Sequence, residues 1–236
     1  MGEGVDEVVF IKRKAAGSLP PEGRGKMTEA SRQALAILRD PGQFQWYVIP
    51  LFVLVVYVYA VEVERRNWSL ALAGLAFWGM DWFNEIWNGL VFHFSGRSAC
   101  WTAPGKTAFL LLIGLNLEIS LMFAILGIVL IKMLPVDRAR RIWGLPNRWF
   151  FAGLNSILCV FIEILLNRAG ALVWEYSWWN FPNVFLIVLL GYLPFMVVSF
   201  WVYDMEKLSR QIGVVATIFA VDLVGLAVFA GMLKWI

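Results

Sequence analysis

The sequence predicts an all-α fold, in which about six transmembrane helices form a polytopic helical membrane bundle. Of its 236 residues, 60 % are hydrophobic and only 16 % are charged. Mean hydropathy is +0.70, whereas a soluble domain carries about a quarter charged residues. Six apolar stretches of roughly 18–28 residues are long enough to cross a bilayer. We therefore expect an integral, multi-pass membrane protein surrounded by membrane lipid.

The N-terminal segment, residues 1–44, differs from the transmembrane domain, residues 45–236, because it is hydrophilic. Residues 17–23 have the composition of a flexible linker. Thr28 is placed to cap a short amphipathic helix that Asp40 and Pro41 end, and we expect this helix to lie on the membrane surface. The basic residues lie in this tail and in loops rather than on one folded face, so no nucleic-acid partner is expected.

The charged and proline residues between apolar stretches set the limits of the six predicted helices. The first stops at the charged run 62–66, which we expect in water or headgroups, and Pro135 stops the third. Pro194 is a candidate kink in the fifth. The predicted helices cover residues 45–60, 68–94, 107–134, 148–173, 184–203 and 211–235.

Loop charges and tail charges disagree on orientation. The loop between the third and fourth helices is basic and favours the cytoplasm. The loops on the opposite side are aromatic and poor in Lys and Arg, which favours an arrangement with both termini outside. The basic tail favours the reverse.

Ionisable and amide side chains at membrane depth are the most informative feature. A charged side chain at the centre of a membrane helix costs roughly 2.5–3.5 kcal/mol on insertion scales, so such groups face one another or a cavity. The residues concerned are Asp81, Glu85, Glu118, Glu163, Asp222, Asn84, Asn88, Asn116, Asn155 and Asn167. Hydrogen-bonded packing between helices explains one or two such groups. We therefore predict a polar chamber inside the bundle, with packing alone as the alternative.

The spacing of these groups places them on shared helix faces. Asp81, Asn84, Glu85 and Asn88 follow i, i+3, i+4, i+7 spacing, and Trp78 extends that stripe. A second face on the fourth helix is formed by Ser156, Cys159, Glu163, Asn167, Gly170 and Trp174. On the third helix Asn116 and Glu118 point in different directions, as in a helix at the centre of a bundle.

The tryptophans divide into two groups. Those at predicted helix ends are typical of an interfacial belt; they are Trp46, Trp68, Trp101, Trp143, Trp149, Trp178, Trp179 and Trp235. The second group lies near the acids, where indole faces could stabilise a carbocation or simply pack in the core; it comprises Trp78, Trp82, Trp87 and Trp174. His93 is expected at the interface.

Three short runs resemble small membrane enzymes of isoprenoid and sterol metabolism. Glu85 with the run Asn116-Leu117-Glu118-Ile119-Ser120 resembles the sterol-isomerase (emopamil-binding) family. The run Asp81-Trp82-Phe83-Asn84-Glu85 with Asp222 is similar to membrane terpene cyclases, and residues 171–176 resemble membrane carotenoid hydratases. These resemblances imply acid chemistry on an apolar polyene or sterol, although the sequence has six predicted helices where the cyclases have seven.

The predicted function is that of a membrane enzyme that protonates and deprotonates a hydrophobic small-molecule substrate, an isoprenoid or sterol, as an isomerase, cyclase or hydratase. The expected catalytic residues are Glu85, Glu118, Glu163 and Asp222; the expected substrate-binding residues are Trp78, Asp81, Asn84, Asn88, Asn116, Asn155, Asn167 and Trp174. A non-catalytic subunit with protein partners and a proton-linked transporter are the alternatives. The sequence has one His, two Cys and no nucleotide-binding loop, so no cofactor and no metal are expected.

Overall fold

The structure, a computed structural model, describes residues 26–236 and confirms the all-α fold. The predicted linker at residues 17–23 and most of the predicted tail lie outside the described residues. Seven α-helices occur in the described part: α1 (Glu29–Ile37), α2 (Val48–Glu64), α3 (Trp68–Ser95), α4 (Leu117–Lys132), α5 (Asn147–Arg168), α6 (Leu193–Asp204) and α7 (Leu208–Gly225). A π-helical segment, Ile187–Tyr192, leads into α6, and a second, Leu226–Met232, continues α7.

Two small ribbons lie in the loops at opposite ends of the bundle. Strand β1 (Trp101–Thr102) pairs antiparallel with β4 (Val173–Trp174). Strand β2 (Arg141–Ile142) pairs antiparallel with β3 (Leu145–Pro146). The first ribbon joins residues 96–116 to residues 170–183, and we call these two loops together the lid.

Helix α3 is the central helix, packed against α2, α4, α6 and α7. The prediction that the third long helix is central was therefore wrong. The close approach of α3 and α4 depends on two glycines. A Cβ atom on Gly127 would lie 2.8 Å from the carbonyl oxygen of Gly74 and 2.9 Å from Cβ of Phe77. The backbones of the two helices thus meet where neither carries a side chain.

We expect Gly127→Ala to lower the thermal stability of the detergent-solubilised protein. The added methyl group meets backbone rather than a movable side chain, and overpacking of this kind costs about 1–3 kcal/mol. Gly153→Ala is the matched control, because its Cβ would meet nothing within 4 Å and alanine favours a helix interior. Equal melting temperatures for the two variants would contradict this account of the crossing.

Helix α4 begins at Leu117, ten residues after the predicted start at Thr107. The side chain of Asn116 caps it by accepting a hydrogen bond of 2.8 Å from the backbone N–H of Ile119. Residues 107–116 instead form a loop whose Leu110, Ile113 and Leu115 are buried. An apolar loop buried in protein has the same hydropathy as a helix, which explains the wrong boundary. Helix α5 also ends early, at Arg168, because Gly170 adopts a left-handed φ of 71°.

Helix α1 is capped by Thr28 as predicted, since the Thr28 side chain accepts from the N–H of Ser31 at 3.3 Å. Its apolar face packs on the lid through Ala34, against Ala99 and Leu110. The face expected on the membrane surface is therefore covered by protein. Thr28 Oγ1 also donates to Glu175 Oε1 at 2.7 Å, which fixes α1 to the second lid loop.

Ion pairs fasten the opposite end of the bundle. Arg148, at the start of α5, donates from Nε and Nη2 to both carboxylate oxygens of Asp204, at 2.8 and 2.9 Å. It also donates to the carbonyl oxygen of Pro135 at 2.9 Å. Glu62 was expected in water or headgroups, but it is buried and accepts from Lys132 and Asn67. That expectation was wrong because the two partners compensate the buried carboxylate.

Three helical segments in the described part are both long and apolar enough to cross a membrane. They are Asn147–Arg168, Ile187–Asp204 and Leu208–Met232, with hydropathies of 2.0, 1.7 and 2.4. Helices α2 and α4 have only 17 and 16 residues, short of the ~20 of an ordinary span. The protein is therefore a multi-pass membrane protein, and three of its described helical segments have the length and hydropathy of a span.

Candidate functional site

A cavity of about 320 Å³ lies inside the bundle between α3, α4, α5, the first π-helical segment, α6 and the lid. Three carboxyl groups face it: Asp81 and Glu85 from α3, and Glu163 from α5. The remaining lining is mainly apolar and aromatic: Trp101, Ile119, Met122, Phe123, Ile125, Leu126, Val129, Ile162, Leu166, Leu172, Trp179, Ile187, Tyr192 and Phe195. Buried carboxyl groups in an otherwise apolar cavity are a common feature of binding and active sites.

Glu85 is held by the lid. Its Oε1 accepts a hydrogen bond of 2.8 Å from the indole Nε1 of Trp101. Its other oxygen, Oε2, is buried without a hydrogen-bond partner, as is Oδ2 of Asp81 one turn earlier. One oxygen of Glu85 is thus positioned by the protein, and the other is available for a reacting group.

Asn88 fixes Trp101 in this position. Its Oδ1 accepts from the backbone N–H groups of Cys100 and Trp101, at 2.8 and 3.3 Å, and its Nδ2 donates to the carbonyl oxygen of Trp101 at 2.8 Å. Trp101 also pairs with Trp174 in the β1–β4 ribbon. A Cβ atom on Gly114 would lie 2.6 Å from the indole of Trp101, so only glycine leaves room for this ring.

We expect Asn88→Ala to release the first lid loop and expose Cys100. The thiol of Cys100 is fully buried, and burial raises its pKa to about 12, so it reacts slowly with maleimide in the folded protein. Leaving the backbone groups of the loop unpaired costs about 1–3 kcal/mol, which corresponds to an increase in the alkylation rate of roughly 5- to 150-fold. The measurement uses Cys159→Ser protein, so that Cys100 is the one thiol in the chain.

Asn84→Ala is the control for that measurement, because Asn84 bonds to a different element. Unchanged labelling in Asn88→Ala, or equal acceleration in both variants, would show that Asn88 does not hold the loop.

Glu163 is held from the opposite wall. Its Oε1 accepts from the hydroxyl group of Tyr192 at 2.8 Å. Tyr192 lies in the π-helical segment before α6, and Asn84 donates to the carbonyl oxygen of Gly191 in the same segment at 3.2 Å. Such π-helical turns occur frequently at functional sites. Asp81 interacts electrostatically with both Glu85 and Glu163, so the three acids form one group.

Glu118, predicted as a catalytic partner of Glu85, lies outside the cavity. It accepts from Thr107 Oγ1 and from the N–H of Ala108, both at 2.7 Å, and from the hydroxyl group of Tyr47. This hydrogen bond raises the pKa of Tyr47 to about 12, so the phenol stays a donor. Glu118 therefore joins the starts of α2 and α4 to the lid, a position that follows from the late start of α4.

Asp222 is buried on α7 but does not line the cavity. Its Oδ2 would lie 3.6 Å from a Cβ atom on Gly79 of α3, and neither of its oxygens has a hydrogen-bond partner. It interacts electrostatically with Asp81. The structure therefore places Asp222 behind the three cavity acids rather than among them.

Of the remaining predicted site residues, Asn84 lines the cavity, and the others lie around it. Trp78 donates to Ser120 Oγ at 3.0 Å, and Asn116 caps α4. Asn155 is buried on α5 without a partner. Asn167 lies in the last turn of α5, and the buried Trp174 lies in β4.

Two tryptophans predicted in the interfacial belt belong to the site instead. They are Trp101 and Trp179. Trp179 is only 2 % exposed, whereas Trp143, which was predicted in the same belt, is 90 % exposed. Trp179 stacks on Trp101 with ring centroids 5.7 Å apart, and Trp87 packs against both at 6.3 and 6.2 Å. Sequence reasoning missed the roles of Trp101, Trp179 and Tyr192. For Tyr192, the neighbouring Gly191 and Pro194 were the available signal that the helix is irregular at this point.

The cavity is open between α4 and α5. These two helices make little direct contact. Met122 on α4 and Ile162 on α5 line the cavity and are 50 % and 40 % exposed. The opening is therefore bordered by exposed apolar side chains.

The chemistry available here is that of carboxyl and aromatic groups. Within residues 26–236, no group of three or more His, Cys, Asp or Glu side chains is arranged to hold a metal ion. The carboxyl groups can exchange protons with a bound molecule, and the indole rings can stabilise positive charge.

Comparison with known proteins places this chain in a family. A protein of Archaeoglobus fulgidus with the description "Uncharacterized protein" is 57 % identical over 209 residues, which is 89 % of this chain and 99 % of the relative. A second, shorter protein of that organism is 44 % identical over 55 residues, covering 23 % of this chain and 98 % of the relative. No solved structure matches. The model of an uncharacterized membrane protein family matches residues 28–231, and the chain belongs to that family.

Proposed function

We propose that this membrane protein is an enzyme that protonates and deprotonates carbon atoms of a lipid-soluble isoprenoid or sterol, as an isomerase, cyclase or hydratase. One observation carries the proposal. Carboxyl groups from two helices, Glu85 on α3 and Glu163 on α5, line one cavity together with Asp81; most of the remaining lining is apolar, and exposed apolar side chains border its opening between α4 and α5. Such a cavity accepts an apolar molecule from the bilayer and offers it proton donors and acceptors.

Glu85 is the general acid in this mechanism. Its unpartnered Oε2 donates a proton to one carbon of a double bond, which forms a C–H bond and leaves a carbocation on the neighbouring carbon. The indole faces of Trp101 and Trp179 stabilise that cation. The indole N–H of Trp101, 2.8 Å from Oε1, stabilises the carboxylate that Glu85 becomes.

Glu163 is the general base, in place of the predicted Glu118. Its carboxylate removes a proton from a carbon next to the cation, which restores a double bond at a new position and completes an isomerisation. If water attacks the cation instead and Glu163 takes the proton that this water loses, the product is an alcohol and the enzyme is a hydratase. If a second double bond attacks, a ring forms with a new cation, from which Glu163 removes a proton, and the enzyme is a cyclase. Asp81 interacts with both acids and offers a route for returning the proton from Glu163 to Glu85.

The proposal is tested on the gently purified protein. Native mass spectrometry and organic extraction identify the lipid that co-purifies, and the protein with this lipid is then incubated in D₂O. We expect an unsaturated isoprenoid or sterol that gains deuterium next to its double bond, or is converted. A protein that carries only bulk phospholipid, or that co-purifies with other subunits and catalyses no exchange, would overturn the proposal.

A further inference from the structure

The cavity has one closed end and one open side. Resting on the proposed function, we infer that the substrate is a linear isoprenoid that inserts one end against Trp101 and Trp179 and leaves the rest of its chain in the bilayer. The reaction then takes place at the terminal isoprene unit rather than in the middle of the chain.

The dimensions of the cavity support partial insertion. Along α4 the lining runs from Ile119 to Val129, a length of about 15 Å at the rise of an α-helix. The volume of about 320 Å³ is near the lower end of the roughly 300–1,000 Å³ found for ligand pockets. A long polyprenoid exceeds this space, so most of its chain must lie outside.

The closed end and the open side of the cavity offer different surroundings to the isoprenoid. The closed end is formed by buried side chains of the lid, Trp101, Trp179 and Leu172. The open side is bordered by the exposed side chains of Met122 and Ile162, so a chain can leave there without losing apolar surroundings. The end of the isoprenoid that enters the cavity therefore lies against the lid.

Glu85 lies at the closed end, because its carboxyl group is bonded to the Trp101 indole. The double bond within its reach is consequently the one nearest the inserted end. The same indole ring, with Trp179 stacked on it, covers the carbons on which positive charge develops.

In this arrangement the ring of Trp179 is the wall that the inserted end meets, so Trp179 determines which end groups fit. Its ring packs on Trp101, Trp87 and Trp178, and its backbone N–H donates to the carbonyl oxygen of Tyr176 at 2.9 Å. Unlike Trp101, its indole donates no hydrogen bond to the carboxyl groups of the cavity. Its ring can thus be removed without unpairing Glu85.

The test is a photo-crosslinking experiment with two geranylgeraniol probes, one bearing a diazirine on the terminal isoprene unit and one next to the hydroxyl group. We expect the terminal probe to label lid residues such as Trp101 and Leu172, and the hydroxyl-end probe to label Met122 or Ile162. The reverse pattern, equal labelling at both places, or no labelling in the cavity would overturn the inference. Because the readout is binding, absence of turnover with the expected labelling would reject the proposed function alone.

A pair of adjacent tryptophans gives the matched variants. Trp179→Ala is expected to increase labelling by a terminal probe enlarged with a phenyl group at least tenfold, because it removes the wall that this group meets. Trp178→Ala is the control, since Trp178 is 44 % exposed and does not line the cavity. Trp179→Phe, which keeps an aromatic wall, should give an intermediate increase. An equal response of the Trp178 and Trp179 variants would reject the assignment of Trp179.

Discussion

Replacing Glu85 by glutamine is expected to reduce deuterium exchange into the bound lipid by about 10²–10⁴-fold, the usual contribution of a general acid or base. The glutamine carbonyl oxygen can still accept from the Trp101 indole, so the lid keeps its position. The amide, however, has no proton to give at neutral pH. The loss should therefore appear in the rate of exchange while the amount of co-purified lipid is unchanged.

Two further glutamine variants separate chemistry from packing. Glu163→Gln should lose exchange to a similar extent, because it removes the base on the opposite wall. Glu64→Gln, at an exposed position on α2, should leave the rate unchanged. If Glu85→Gln and Glu163→Gln both retain the exchange rate of the unmodified protein, the acids are not catalytic.

Replacing Arg148 by alanine is expected to destabilise the protein by about 3 kcal/mol, since hydrogen bonds to charged groups contribute about 1.5–3 kcal/mol each and Arg148 makes two of them to Asp204. Arg148 and Asp204 are both largely shielded from water, with side chains 17 % and 20 % exposed. The substitution leaves Asp204 with Arg138, whose Nε is 3.1 Å away. Chemical denaturation in detergent micelles gives the change in the free energy of unfolding.

The planar guanidinium group explains the size of this effect. Arg148→Lys should recover only part of the loss, because an ammonium group cannot bond to both carboxylate oxygens in the same way. Arg141→Ala is the control, since the side chain of Arg141 is exposed and donates to the carbonyl oxygen of Gly144 at 3.3 Å. A loss in the control as large as that in Arg148→Ala would attribute the effect to net charge and not to the ion pair.

The part of the site that lies on regular helix was predictable from the sequence. Asp81 and Glu85 were placed on one inward face by helical spacing alone, because a polar stripe on a membrane helix must face the interior. Glu163 was identified by the same reasoning on α5. In each case the position of the side chain depends on the period of one helix, which the sequence contains.

The part of the site that lies in the lid was not predictable. Trp101 and Trp179 were assigned to the membrane interface because tryptophans next to helix ends usually lie there. Their burial depends on the β1–β4 pairing and on Gly114, which are contacts between distant parts of the chain. Glu118 was misplaced for a related reason, since the buried loop before α4 is as apolar as a helix.

Under the proposed function, the gap between α4 and α5 also has a consequence for how the rate of turnover should depend on the surrounding lipid. A substrate that arrives through that gap is drawn from the two dimensions of the bilayer, so its relevant concentration is a mole fraction in the lipid. Adding inert detergent or phospholipid at constant total substrate should dilute it at the membrane surface and slow turnover. The apparent KM then scales with the amount of amphiphile present rather than with the volume of water.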